Sequence, residues 1–115
     1  MGIQIRKQEP AYTLTKTKDW WIDFLVFLVE FNEQAPTEEI QKVVEFCIKK
    51  AREFVLSKDP AQEFALELHK DDALDLFIFL SDFKVQAKEK EMWDVVHNTC
   101  EDIKAFLTKR GEQDE

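Results

Sequence analysis

The chain has 115 residues and a formal net charge of −8, from 24 acidic against 16 basic side chains. Hydrophobic residues make up 44% and aromatics 12%, enough to build one packed core over 1–115 and to exclude a disordered chain. An acidic field repels phosphate backbones, so direct nucleic-acid binding is not expected.

The first residues, 1–17, read as an extended arm. Ile3 and Ile5 alternate with Gln4 and Arg6, and Tyr12 and Leu14 alternate with threonines. Period two favours strand or coil over helix. The opening MGIQIRKQEPAY lacks the apolar run of a secretory signal. Arg6 stands where N-myristoylation wants Ser or Thr. A cytoplasmic location is therefore expected.

A first helix is predicted over 18–34, with Thr17 as N-cap and Asp19 in the first turn. Trp20, Trp21, Phe24, Leu25, Phe27, Leu28, Val29 and Phe31 cover more than half of its circumference, leaving Asp19, Asp23 and Glu30 as a narrow polar strip. The run WWIDFLVFLVEF is too short for a membrane span and carries Asp23 and Glu30, so no membrane association is expected. Pro36 and Thr37 then restart the chain. A second helix over 38–56 follows, with one apolar stripe from Ile40 to Val55 and Phe46 off that stripe.

The segment 57–70 is the connection. Asp59-Pro60 reads as a helix start, and PAQEFALEL favours a short helix by composition, although FALEL also alternates as a strand would. A third helix, 71–88, repeats the nearly all-round apolar character of the first. A fourth, 91–109, repeats the second and is expected to stop at Gly111, leaving 111–115 as a solvated tail.

This likeness is an internal repeat. Shifted by 52 positions, residues 18–55 fall on 70–107 without a gap, and 12 of the 38 columns are identical, among them Asp19/Asp71, Asp23/Asp75, Phe27/Phe79 and Phe31/Phe83. The expected fold is all-α: four main helices as a tandemly duplicated α-hairpin (18–56 and 71–110), with the first and third helices central. An N-terminal arm and a short connecting helix complete it.

Chemistry is sparse. Glycine occurs only at positions 2 and 111, so there is no phosphate-binding loop. His97-Asn-Thr-Cys100 offers one ligand pair where zinc wants four ligands, and neither metal nor cofactor is expected. His69 reads as a cap or linker residue. Cys47 and Cys100 read as buried free thiols rather than a disulfide framework. No catalytic arrangement can be proposed, so the chain reads as a non-enzyme.

Two surface features point to a partner. Trp20 and Trp21 face an Asp and an Ala in the second copy, so the fold does not need tryptophan there, and tryptophan is enriched at interface hot spots. Covering by the N-terminal arm is the other reading. Residues 58–115 carry 8 basic against 15 acidic groups, whereas 1–57 carry 8 against 9. Asp71, Asp75 and Asp82 share one strip of the third helix, with Asp72 beside them. This reads either as an acidic ridge for a partner or as the only solvated positions on a very apolar helix. The expected function is a small acidic protein-binding module (an adaptor, inhibitor or immunity-type protein) that occludes another protein, possibly a basic one, through Trp20, Trp21, Asp71, Asp72, Asp75 and Asp82. A nucleic-acid mimic that blocks a DNA- or RNA-binding protein and a structural homodimer are the alternatives.

Overall fold

A computed structural model describes residues 11–58 and 62–113. The elements run β1 (Tyr12–Thr17), α1 (Lys18–Phe31), a 3₁₀ turn (Asn32–Gln34), α2 (Glu38–Leu56), β2 (Glu63–Leu68), α3 (Lys70–Phe83), a second 3₁₀ turn (Lys84–Gln86) and α4 (Lys90–Gln113). The described residues are mostly helical, with four α-helices and a small two-stranded sheet among them.

The mainly helical class holds, and the small sheet corrects the expected short connecting helix. Composition favoured a short helix over 60–68, yet Glu63–Leu68 is a strand antiparallel to Tyr12–Thr17. Its alternation decides the matter: Leu66 and Leu68 turn inward, while Glu63, Ala65 and Glu67 face solvent. A lone strand cannot satisfy its backbone, and the partner lies about fifty residues upstream, beyond any local pattern. The N-terminal arm is accordingly a paired strand from Tyr12, with Tyr12 and Leu14 buried. Ile3, Ile5 and the Asp59-Pro60 helix start lie outside the described residues.

The helix starts follow their capping chemistry. The Thr17 hydroxyl accepts from the Trp20 amide at 3.3 Å, and the Thr37 hydroxyl from the Ile40 amide at 3.1 Å. His69 caps α3, its Nδ1 accepting from the Asp71 amide at 3.3 Å. At the other end, α4 does not stop before Gly111 but continues to Gln113. A glycine ends a helix when the chain adopts a left-handed conformation there, and the structure has no positive-φ glycine among the described residues.

The helices form a ring around one core. α1 packs on α2 and α4, and α3 packs on the same two, so the first and third helices are not a central pair flanked by the others. They lie diagonally and meet through phenyl rings: Phe27–Phe79 edge to face at 6.1 Å, Phe31–Phe83 stacked at 5.2 Å. The strands lie beside this core. Phe64 of β2 stacks on Phe54 of α2 at 5.3 Å, and Tyr12 of β1 tilts against Phe106 of α4 at 5.5 Å.

Three helix boundaries in the second half fall 52 residues after those of the first, Lys18 and Lys70, Phe31 and Phe83, Glu38 and Lys90, whereas the strand bounds and the end of α4 do not keep that offset. The strand register has the same offset at its centre, Leu14↔Leu66, with Tyr12↔Leu68 on one side and Lys16↔Phe64 on the other.

Candidate functional site

The two tryptophan rings touch edge to face, their centroids 5.0 Å apart, but they differ in burial. Trp21 is fully buried. It sits edge-on to Phe24 at 5.8 Å and against Phe64 at 5.5 Å, and its Nε1 donates to the Phe64 carbonyl at 3.2 Å. A side chain with no exposed surface and a satisfied N–H is core, so the expectation that Trp21 meets a partner is corrected. Trp20 is half-buried, stacked on Phe24 at 4.9 Å with the Lys16 ammonium 5.4 Å from its ring centroid.

The acidic residues do gather on one face. Asp71, Asp72 and Asp82 are exposed, and Asp75 is half-buried. At 100° per residue Asp71, Asp75 and Asp82 fall within roughly 40° of arc. Two aliphatic side chains share that face, Leu74 at 44% exposure and Ile78 at 37%. The same chemistry recurs on α1, where Asp19, Asp23 and Glu30 accompany exposed Ile22, Val26 and Val29. Both strips lie on the more exposed side of their helices, next to the buried Phe27 and Phe79, which stand one turn on from Asp23 and Asp75. Partial burial raises the Asp75 carboxyl above its usual range, and the neighbouring charges of Asp72, Asp71 and Glu39 push it further in the same direction.

The exposed aliphatics are what sequence reasoning missed. Val29 was assigned to the apolar arc of the first helix, yet it is 50% exposed. An almost wholly apolar helix does not reveal which side is covered. The usable signal was the acidic strip itself, because Ile22, Val26, Leu74 and Ile78 lie between its carboxylates.

Elsewhere, the titratable and nucleophilic groups are held within the fold. Cys47 and Cys100 are free and buried. Burial, and secondarily Asp72, pushes the Cys47 thiol up to about 12, so it is not a nucleophile near neutrality. The Tyr12 hydroxyl donates to Asp102 Oδ2 at 2.8 Å, tying β1 to α4. His97 stacks on Trp93 at 4.6 Å, with the Lys84 ammonium 3.1 Å from its Nδ1. Phe46 is 41% exposed, as its position off the stripe predicts. Among the described residues no group of three or more His, Cys, Asp or Glu side chains is placed to hold a metal ion, and no helix is long and apolar enough to cross a membrane.

A groove with a volume of about 440 Å³ opens between α1 and α2. Val29 and Ile48 supply its apolar lining, and Asn32, Glu33, Glu45, Lys49, Arg52 and Glu53 the polar part. Comparison with known proteins adds no relative: no protein-family model, curated protein or solved structure matches the chain.

Proposed function

We propose that this protein is a non-enzymatic protein-binding module built from a duplicated strand–helix–helix unit, and that it acts by occluding a partner with a basic, partly apolar surface. The contact face is the outer strip of α3, formed by Asp71, Asp72, Asp75 and Asp82 with Leu74 and Ile78. The observation that carries this reading is the interleaving of exposed aliphatic side chains with carboxylates on one helix face. A merely solvated strip does not need Leu74 and Ile78. Aliphatic side chains flanked by charge form an interface in which desolvated area supplies affinity and the charged rim supplies orientation and on-rate. Half-exposed Trp20 and the matching strip of α1 offer a second contact.

The crowding of Asp71, Asp72, Asp75 and Glu39 favours a narrower version, in which the partner is a nucleic-acid-binding protein and the carboxylates stand where phosphates would. Both versions are tested by capture from the source lysate on the immobilised full chain, eluted with a salt gradient. The wild type is compared with a Leu74→Glu/Ile78→Glu variant and an Asp71→Asn/Asp75→Asn/Asp82→Asn variant, each first shown to be folded by circular dichroism. The module reading expects a stoichiometric partner that both variants lose. A nucleic-acid-binding protein released by moderate salt and lost only with the carboxylates supports mimicry. A partner retained by both variants rules out the strip. A dimer mass by light scattering, abolished by Leu74→Glu/Ile78→Glu, replaces the foreign partner with a second copy of the chain.

A further inference from the structure

The groove between α1 and α2 has a counterpart in the second half, and the two differ in one informative way. Asn32 and Lys84 are both the residue that ends the first helix of their half, with nearly identical backbone angles of −54°, −43° and −55°, −42°. Glu45 and His97 are both the eighth residue of the following helix, and Gln41 and Trp93 both the fourth. In the second half the lysine turns into this site. The Lys84 Nζ is 3.1 Å from His97 Nδ1 and 5.7 Å from the centre of the Trp93 ring. The chain thus seats an alkylammonium between its own helices at this position.

In the first half the lysine is replaced by Asn32 and the space is an open groove. Its volume of about 440 Å³ lies within the roughly 300–1,000 Å³ of small-ligand pockets. Its charged lining is mixed, with carboxylates outnumbering cations. Glu45 stands where His97 receives the ammonium, and Glu33 and Glu53 add two further carboxylates against the bases Lys49 and Arg52. None of these five side chains forms an ion pair within 4 Å among the described residues. Asn32 lines the groove, and its Oδ1 is itself buried and has no hydrogen-bond partner. Val29 and Ile48 are the apolar lining that a lysine stem covers.

We infer that the α1–α2 groove receives a lysine side chain of the partner protein, with its ammonium against Glu45 and its methylene stem on Val29 and Ile48. The groove is the vacant equivalent of the position that Lys84 fills internally in the second half. This deepens the protein-binding reading and rests on it only in assigning the lysine to a partner. Val29 belongs both to the groove and to the exposed strip of α1, so a lysine seated here comes from a protein lying along that strip.

The test is a titration of the full chain with the peptide acetyl-Gly-Lys-Gly-amide, followed by NMR on the Asn32 side-chain amide and the Val29 and Ile48 methyl groups. The expected result is saturable shifts confined to these groups, lost when the peptide lysine is Nε-acetylated. Asn32→Lys, which lets the chain fill the groove as Lys84 does, should weaken binding by at least about tenfold, and Glu45→Gln by about tenfold. Conversely, Lys84→Asn/His97→Glu should create a second set of shifts around Ser81 and Cys100. Binding that is equal in Asn32→Lys, or equal for the acetylated peptide, overturns the inference. So does preferential binding of butyrate, which would assign the groove to Lys49 and Arg52. Shifts confined to Asp71–Asp82 overturn the groove and leave the α3 strip reading standing. Groove shifts in a protein that captures no partner leave the ammonium site standing and overturn the module reading.

Discussion

The first and second halves of this protein share the spacing of their helix starts but not their fillings, and the differences show which positions the fold requires. Where ring pairs cross the centre, the residues match: Phe27 with Phe79, Phe31 with Phe83. Where a side chain reaches from a helix to a strand, they diverge. Trp21 fills the space under β2 and donates to its backbone, while Ala73 stands at the corresponding position of α3. Tyr12 of β1 carries a hydroxyl to Asp102, while Phe64 of β2 has none. The central contacts are common to both halves, and each half holds its strand in its own way.

Trp21→Ala is the strongest way to break this comparison. It makes the two halves alike at that position but empties the space beneath β2 and leaves the Phe64 carbonyl without its donor. Loss of a buried aromatic ring costs about 3–5 kcal/mol. Denaturant unfolding should show that loss with an unchanged m-value, if the sheet stays paired. A cost below about 1 kcal/mol would mean that β2 is held by α2 through Phe54 alone. The reverse change, Ala73→Trp, asks a fully buried site to accept an indole, and overpacking costs about 1–3 kcal/mol.

Tyr12→Phe sharpens the same comparison at lower cost, because it gives β1 the ring that β2 already has. The ring contact with Phe106 survives, and Asp102 is exposed, so its carboxylate regains water. Only the net value of one hydrogen bond is lost, about 0.5–1.5 kcal/mol. Equilibrium unfolding at neutral pH measures it. A loss several times larger would show that Asp102 positions α4 in a way the distance alone does not convey.

How much of this could be read from the sequence depends on the range of the cause. Caps at Thr17 and Thr37 were legible, because each acts on an amide three residues away. The division between Trp20 and Trp21 followed from helical geometry, although which of the two would be buried did not. The acidic strip was legible because carboxylates stay solvated unless paired. β2 was not, because FALEL is compatible with a helix until the strand at Tyr12–Thr17 offers its hydrogen bonds. The groove was not either. Nothing local marks Asn32 as the residue standing where a lysine folds inward, and the contrast with Lys84 appears only when the two helix ends are compared in space.

The smallest expected effect bears on the strips. Asp75 lies one helical turn from Asp71 and close to Asp72 and Glu39, and its carboxyl is raised above the usual range by partial burial first and by those charges second. The folded protein therefore holds a proton on Asp75 more tightly than the unfolded chain does. At neutral pH both states are ionised, and the fold carries the full penalty. As the pH falls through the raised folded value towards the unfolded one, that penalty is relieved. Asp75→Asn should thus stabilise the protein at neutral pH, by about 0.2–0.5 kcal/mol for each like-charge helical pair removed, and the gain should vanish on acidification. At the corresponding site of α1, Trp20 stands in place of Asp72, so Asp23→Asn removes one fewer repulsive neighbour and should gain less. Thermal unfolding of both variants across acidic to neutral pH checks the sign. If Asp75→Asn destabilises at neutral pH, the carboxylate is making a favourable contact in the folded chain. The α3 strip would then serve the fold itself. If the variant stabilises and the gain disappears in acid, the chain holds these carboxylates together at a cost to its own stability, as a surface that acts on a partner would.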